Sequence, residues 1–225
     1  MCRPGTPAKL DAVTDSMVET AQVRCRLWWV AAAGGGVLLG LVDLLLQRNL
    51  PYPWANLANS SAVWAVAAFT AARLLRIGPV RAAAAGAILL IVAVQAYYAS
   101  ATVLLHDSPA VMWAPSTLLW MVFGLLAGAT FGAAGPLSAR PGARWRGIAA
   151  AMPGAVLLAE ALLLWHTGRA QRPDAPVTAA IEAALGITLV VLTTRGTTVL
   201  VQALAATCVL APLCFGLFLT AGFGA

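Results

Sequence analysis

Charge is the commodity this sequence has least of. Only 10% of its 225 residues are Asp, Glu, Lys or Arg, against about a quarter in an ordinary soluble domain. In their place 61% are hydrophobic and the mean hydropathy is +0.85, which excludes a water-soluble domain and an intrinsically disordered chain alike. Metal-binding residues are equally sparse. The four cysteines, Cys2, Cys25, Cys208 and Cys214, form no Cys-x-x-Cys pair and have only two histidines for company, so zinc, haem and disulfide frameworks are all poor matches. There is no P-loop, Gly-x-Ser-x-Gly elbow or His-Glu-x-x-His helix, which removes NTPases and the common hydrolases. No cofactor and no metal are expected.

What the sequence has in abundance is long apolar runs. Stretches near 27–47, 57–76, 80–104, 113–134, 147–166, 177–193 and 197–220 are each long enough to cross about 30 Å of hydrocarbon as helix. The expected fold is therefore all-α, a polytopic integral membrane helical bundle of seven transmembrane helices, or six if the short 177–193 stretch with its Glu182 does not cross. Residues 27–225 form a single transmembrane domain. Residues 1–26, polar and without an apolar stretch ahead of a cleavage site, read as a cytoplasmic tail rather than a signal peptide.

Basic residues stay on the cytoplasmic side during insertion. With the N-terminus inside, eleven of the fourteen Lys and Arg residues fall inside: Arg3, Lys9, Arg24, Arg26, Arg73, Arg76, Arg81, Arg140, Arg144, Arg146 and Arg195. Arg48, Arg169 and Arg172 fall outside. An N-in, C-out protein of a bacterial plasma membrane is expected, its positive charge an address rather than a nucleic-acid surface. Trp28, Trp29 and Trp145 then sit at the inner interface and Trp54, Trp113 and Trp165 at the outer one.

Every acid after the tail, Asp43, Asp107, Glu160, Asp174 and Glu182, lies in the outer half under this topology. An ionisable group at membrane depth costs at least about 2.5–3.5 kcal/mol, so it faces protein and carries a pairing or a function. Gly36, Gly40, Asp43 and Gln47 recur along one stripe of the first helix, which must face a neighbour. Asp43 there either hydrogen-bonds across a close Gly-xxx-Gly contact, is met by Arg48, or acts chemically. Glu160, flanked by leucine and alanine, has no local partner. It is read as a catalytic acid or as a neutral group bonded to another helix, with Pro153 weakening the helix two turns below. Glu182, behind Asp174-Ala175-Pro176, reads as a hydrated acid at a helix start that favours the dipole and borders the pocket.

Other polar and aromatic side chains reach the same depth. Asn56, Ser60 and Trp64 share a stripe with Asn59 beside it, Gln95, Tyr98 and Thr102 share another with Tyr97 adjacent, and a Gly124, Gly128, Gly132 run points Trp120 inward. Trp64 and Trp120 lie about 10 Å below the outer border by helical rise, too deep for an interface belt; they fill the core or line a cavity. An outer-half pocket is expected, with Asp43, Glu160, Asn56, Asn59, Gln95, Glu182 and Tyr98 among its polar groups and Trp64, Trp120 and Tyr97 in its walls. The inner half is nearly all Ala, Val, Leu and Gly, which speaks against a symmetric transport path. Leu41–Leu46 and Leu158–Leu163 can also be overlaid, each with an acid third, as expected of two parallel three-helix repeats whose acids meet near a pseudo-axis.

The run Asn56-Leu57-Ala58-Asn59-Ser60-Ser61-Ala62-Val63-Trp64, followed by Tyr97-Tyr98, resembles a group of uncharacterised small multi-pass actinobacterial membrane proteins over roughly residues 30–215. In size, multi-pass build and embedded carboxylates the chain is also similar to small membrane-bound bacterial terpene cyclases of indole-sesquiterpene and meroterpenoid pathways. That second resemblance implies an isomerase-type cyclisation of a lipophilic prenylated small molecule, with Asp43 and Glu160 as catalytic acids. Burial can raise a carboxyl pKa by about 3–5 units, keeping an acid protonated for the first step, and aromatic faces stabilise the carbocations that follow. No Asp-Asp-x-x-Asp motif is present, so magnesium-assisted diphosphate ionisation is not expected. A proton-coupled carrier of a small hydrophobic compound and a non-catalytic membrane assembly subunit are the alternatives.

Overall fold

The computed structural model describes residues 8–142, 144–168 and 174–222, with side chains from residue 27 onward. Cys2, Cys25, the tail's charged side chains, Arg169 and Arg172 lie outside the described residues. Among the described residues eight α-helices run in order: α1 Ala8–Asn49, α2 Trp54–Ala58, α3 Ser61–Leu75, α4 Pro79–Leu104, α5 Pro115–Ala139, α6 Arg146–Leu163, α7 Ala175–Thr193 and α8 Thr197–Thr220. A 3-10 turn, Pro109–Trp113, precedes α5, and a π turn, Leu164–Gly168, extends α6. No strand occurs among the described residues.

Six helical stretches are long and apolar enough to cross a membrane: Leu27–Asn49, Pro79–Leu104, Pro115–Ala139, Arg146–Gly168, Ala175–Thr193 and Thr197–Thr220. The chain is thus a multi-pass helical membrane protein, and the doubtful 177–193 stretch is one of the six. The departure lies at 57–76, expected as one continuous helix. It is broken at Asn59 and Ser60, leaving the five-residue α2 and the 15-residue α3. Ser60 takes an extended conformation and its hydroxyl accepts from the Val63 N–H at 3.1 Å. Asn and Ser compete with the helix for backbone bonds and favour caps, so the Asn-Ser-Ser triplet starts a new helix where hydropathy alone reads one span.

Helices alternate across the bundle, and side-chain bonds tie each end. At one end Arg73 of α3 donates to Ser138 of α5 and to the Thr193 carbonyl that closes α7. At the other, Asn56 of α2 donates to Asp174 ahead of α7, and Arg48 to the Leu104 carbonyl at 3.3 Å. α6 is the central helix, 67% of its apolar window being buried against 17–33% in the other five.

Glycine sets the closest contacts, because lipid supplies no hydrophobic drive between helices and dispersion must come from near approach of backbones. A methyl at Gly40 would fall on the Ala93 carbonyl and 2.8 Å from the Tyr97 nitrogen, and one at Gly36 within 2.9 Å of Val92. The α1 stripe therefore faces α4. Gly86 and Gly128 bring α4 and α5 into direct backbone contact, and Gly154 against Gly186 does the same for α6 and α7. Of the tryptophans expected at the interfaces, Trp29, Trp54, Trp113, Trp145 and Trp165 are exposed. Trp28 is not: it is buried against Ala32, Ala85 and the Leu75–Ile77 turn, since the short α3 and its turn leave room for an indole beneath them.

Gly128→Ala is expected to lower the thermal unfolding midpoint in detergent, by an overpacking cost of about 1–3 kcal/mol. Gly34→Ala, which meets nothing within 4 Å, is expected to leave it unchanged.

Candidate functional site

Between α1, the α2–α3 break, α4, α5 and the end of α8 lies a cavity of about 730 Å³. On one side of it α4 and α5 touch through Gly86 and Gly128, whereas a methyl at Gly124 would only reach ordinary van der Waals contact with Leu90, at 3.4 Å. The space is walled by Trp64, Tyr97, Tyr98, Trp120, Phe123 and Phe131, with Phe218 closing it from α8. Asp43, Asn59, Ser60 and Ser61 supply the polar lining.

Asp43 owes its place to the glycine stripe. Because Gly40 lies against Ala93 and Tyr97, the next turn of α1 sets Asp43 beside the aromatic segment of α4. Gln47, one turn on, donates to Asp43 Oδ2 at 3.0 Å and accepts from the Tyr97 hydroxyl at 3.3 Å. This Tyr97–Gln47–Asp43 chain fixes the carboxyl's orientation. Oδ1 is buried without a hydrogen-bond partner, and Trp64 is its other polar neighbour. Tyr97 and Tyr98 meet edge to face at 5.3 Å. Arg48 turns away to Leu104, so Asp43 is not neutralised by it.

Glu160 stands behind the cavity wall rather than in it. Its Oε2 accepts from the Ser60 hydroxyl at 3.1 Å, the Ser61 hydroxyl at 3.1 Å and the Ala62 N–H at 2.6 Å. The first N–H groups of a helix have no intrahelical acceptor, and an acid at that end is favoured by the dipole. A carboxylate with no partner in its own sequence neighbourhood thus caps a helix about one hundred residues earlier. The two serines both line the cavity and donate to Glu160, connecting the acid to the space.

Glu182 corrects an expectation. Instead of a hydrated acid at a helix start, it is completely buried two turns into α7, and neither carboxylate oxygen has a hydrogen-bond partner. Glu160 is the charged group it senses. A lone ionised carboxylate in such a place costs several kcal/mol, so Glu182 is accommodated as the neutral acid. Hydropathy reads Asp174-Ala175-Pro176 correctly as a helix start but says nothing of how deeply the α2–α3 elbow covers it.

Of the remaining expected residues, Asn59, Trp64, Tyr97, Tyr98 and Trp120 border the cavity. Asn56 and Gln95 do not: Asn56 donates to Asp174 and to Thr178 Oγ1 at 3.3 Å, while Gln95 donates to the Met112 carbonyl at 3.3 Å and the Met121 sulfur at 2.9 Å. Both are ties between elements. The acids do not meet at an axis either, Asp43 bonding within the α1–α4 seam and Glu160 with α3. Sequence reasoning missed Ser61, Phe123, Phe131 and Phe218. Ser61 was detectable as the residue after an N-cap serine; the phenylalanines sit in uniformly apolar helices whose facing only packing reveals.

Glu160→Leu strands the Ala62 N–H and two hydroxyls, so a loss of about 1–3 kcal/mol is expected, read as a lowered thermal midpoint. Glu182→Leu, which replaces an unpartnered buried acid by a hydrocarbon of similar size, is expected to be neutral or stabilising in the same assay.

No curated protein and no solved structure matches the chain. A family model does, over residues 19–222, a stretch that takes in the broken α2–α3 segment, Glu160 and every wall of the cavity. By that match the chain belongs to the family of unknown function DUF6518.

Proposed function

We propose that this protein is a terpene cyclase of a bacterial plasma membrane, converting a lipophilic prenylated compound into a cyclic isomer inside the cavity. The observation that carries the reading is the placement of the Asp43 carboxyl in the lining of an aromatic-walled space of about 730 Å³, within the range of about 300–1,000 Å³ typical of ligand pockets. The likeness to small membrane-bound terpene cyclases supports it, as does the residue chemistry.

Asp43, as the neutral acid, gives its proton to a terminal alkene carbon or an epoxide oxygen of the prenyl chain. The electron pair of the neighbouring double bond attacks the resulting cation, forming a ring carbon–carbon bond and moving the positive charge along the chain. Trp64, Tyr97, Tyr98 and Trp120 present π faces to that charge, each contributing about 0.5–2 kcal/mol. Loss of a proton from carbon forms the final double bond. The proton returns to Asp43, which restores the neutral acid for the next turnover. Substrate and product have the same atoms, so neither oxidant nor metal enters the balance. The Gln47–Tyr97 chain keeps the acid aimed, and the apolar walls exclude water that would quench the cation.

A second reading, a proton-coupled carrier, is favoured by two buried acids, Glu160 and Glu182, in a bundle with a broken helix, since embedded acids serve as proton relays and broken helices as coupling sites in transporters. A carrier returns its cargo unchanged, and that separates the two.

Purified protein given a farnesylated aromatic acceptor, or its terminal epoxide, is expected to yield a cyclic isomer of unchanged mass. Asp43→Asn is expected to lower turnover by about 10²–10⁴ while the protein still folds. Absence of a cyclic isomer from both substrates rejects the cyclase, and proton-linked uptake of the unchanged compound into proteoliposomes establishes the carrier in its place. Trp64→Leu is expected to cut turnover about three- to thirtyfold, the factor corresponding to one cation–π contact, and to divert product towards early-terminated rings.

A further inference from the structure

The end of the bundle opposite the cavity carries an arrangement that the cyclase reading does not use. Arg73 in the last turn of α3 and Arg146 at the start of α6 meet there at Ser138 near the end of α5, and Arg195, between α7 and α8, lies two residues beyond the Thr193 carbonyl that Arg73 also reaches. Ser138 is fully buried. Its hydroxyl accepts from Arg73 Nη1 and its carbonyl accepts from Arg146 Nε at 3.4 Å. Arg73 Nη2 also reaches the Thr193 carbonyl, at 3.5 Å. Arg195 and Arg146 are the charges that Arg73 senses. Among the residues whose side chains are described, from residue 27 onward, no carboxylate forms a hydrogen bond with any of the three.

Guanidiniums held close together repel one another, and Ser138 fixes two of them while neither Nη group of Arg146 makes a hydrogen bond among the described residues. Arg195 is exposed and makes no hydrogen bond among the described residues. Planar forks of this kind match phosphate oxygens two at a time. The ends of α6 and α8 that lie here, at Trp145 and Gly196, have no side-chain cap, so their first N–H groups add to the positive potential.

The surroundings select the source of the phosphate. Leu74 beside Arg73 is 74% exposed and Leu192, one turn before Arg195, 71%. Ile148 and Trp145 beside Arg146 are exposed as well, an indole at that level being typical of the headgroup region. A free anion has no use for these apolar neighbours, whereas acyl chains do. We propose that Arg73, Arg146 and Arg195 form a site for the phosphate of an anionic membrane lipid, with the acyl chains lying along the exposed Ile148 and Leu192 faces of α6 and α7. Basic recesses between helix ends are a known way of holding such headgroups. The site is independent of the cavity and of the reaction proposed there.

The test uses the full chain, delipidated in a neutral detergent and titrated with phosphatidylglycerol, phosphatidylcholine of the same acyl composition, or inorganic phosphate. Native mass spectrometry counts bound lipid and the thermal midpoint reports stabilisation. Phosphatidylglycerol is expected to bind at least tenfold more tightly than phosphatidylcholine and to raise the midpoint, with inorganic phosphate giving no rise. The double variant Arg146→Gln, Arg195→Gln is expected to lose the preference. Arg76→Gln with Arg81→Gln, which removes equal charge from the same end, is expected to keep it. If the double variant does not reach the wild-type midpoint in phosphatidylcholine, Arg195→Gln alone serves, with at least threefold weaker phosphatidylglycerol binding expected. Equal binding of the two lipids, a rise with inorganic phosphate that matches the lipid's, or loss of preference in the Arg76, Arg81 control equal to that of the site variant would each overturn the proposal.

Discussion

A helix that begins inside a membrane has N–H groups with nowhere to go, and this protein meets that constraint with the carboxylate of Glu160. Its Oε2 takes the Ala62 N–H and both serine hydroxyls, which allows the Asn59–Ser60 break to exist at membrane depth. Much follows from the break. α3 starts late and is short, α2 crosses towards α7 and is fastened there through Asn56 and Asp174, and Ser60, Ser61 and Trp64 are turned to the cavity. Glu160 is thus the hinge pin between a central helix and the polar corner of the site.

Close packing and open space lie side by side in this bundle. Where glycines face each other, as Gly86 and Gly128 do, α4 and α5 touch by backbone. About two to three helical turns further along, the same two helices carry Trp120 and Tyr97, whose rings wall the cavity. The same glycine logic on α1 places Asp43: a stripe of Gly36 and Gly40 seats the helix so tightly on α4 that the acid in the next turn enters a seam with Gln47 and Tyr97.

The membrane character of the chain, six of the seven expected crossings with their ends no more than five residues off, the α1 glycine stripe and most of the aromatic wall were all legible in the sequence, because hydropathy and helical periodicity act locally. The broken second crossing was half legible. Asn-Ser-Ser carries capping residues, but its surroundings are apolar enough for a window average to pass over them. Glu160 and Glu182 show the limit more sharply. Each sits in an unremarkable run of Ala and Leu; one accepts three hydrogen bonds and the other none. Nothing within a helical turn of either distinguishes them, since the donors to Glu160 come from about a hundred residues away.

Scarcity of charge determined, by itself, that this chain lives in a membrane, and the few acids it keeps had to lie against protein. The reason is the cost of an ion in hydrocarbon, which depends on composition and depth alone. Which acid faces a cavity, which caps a helix and which is buried unpartnered was decided only in the tertiary structure, because hydrogen bonds depend on angstrom-scale approach of elements distant in sequence. The same holds for the arginines. Their concentration in the turns at one end is a property of the sequence; the meeting of Arg73 and Arg146 at Ser138 is a property of how the helix ends pack.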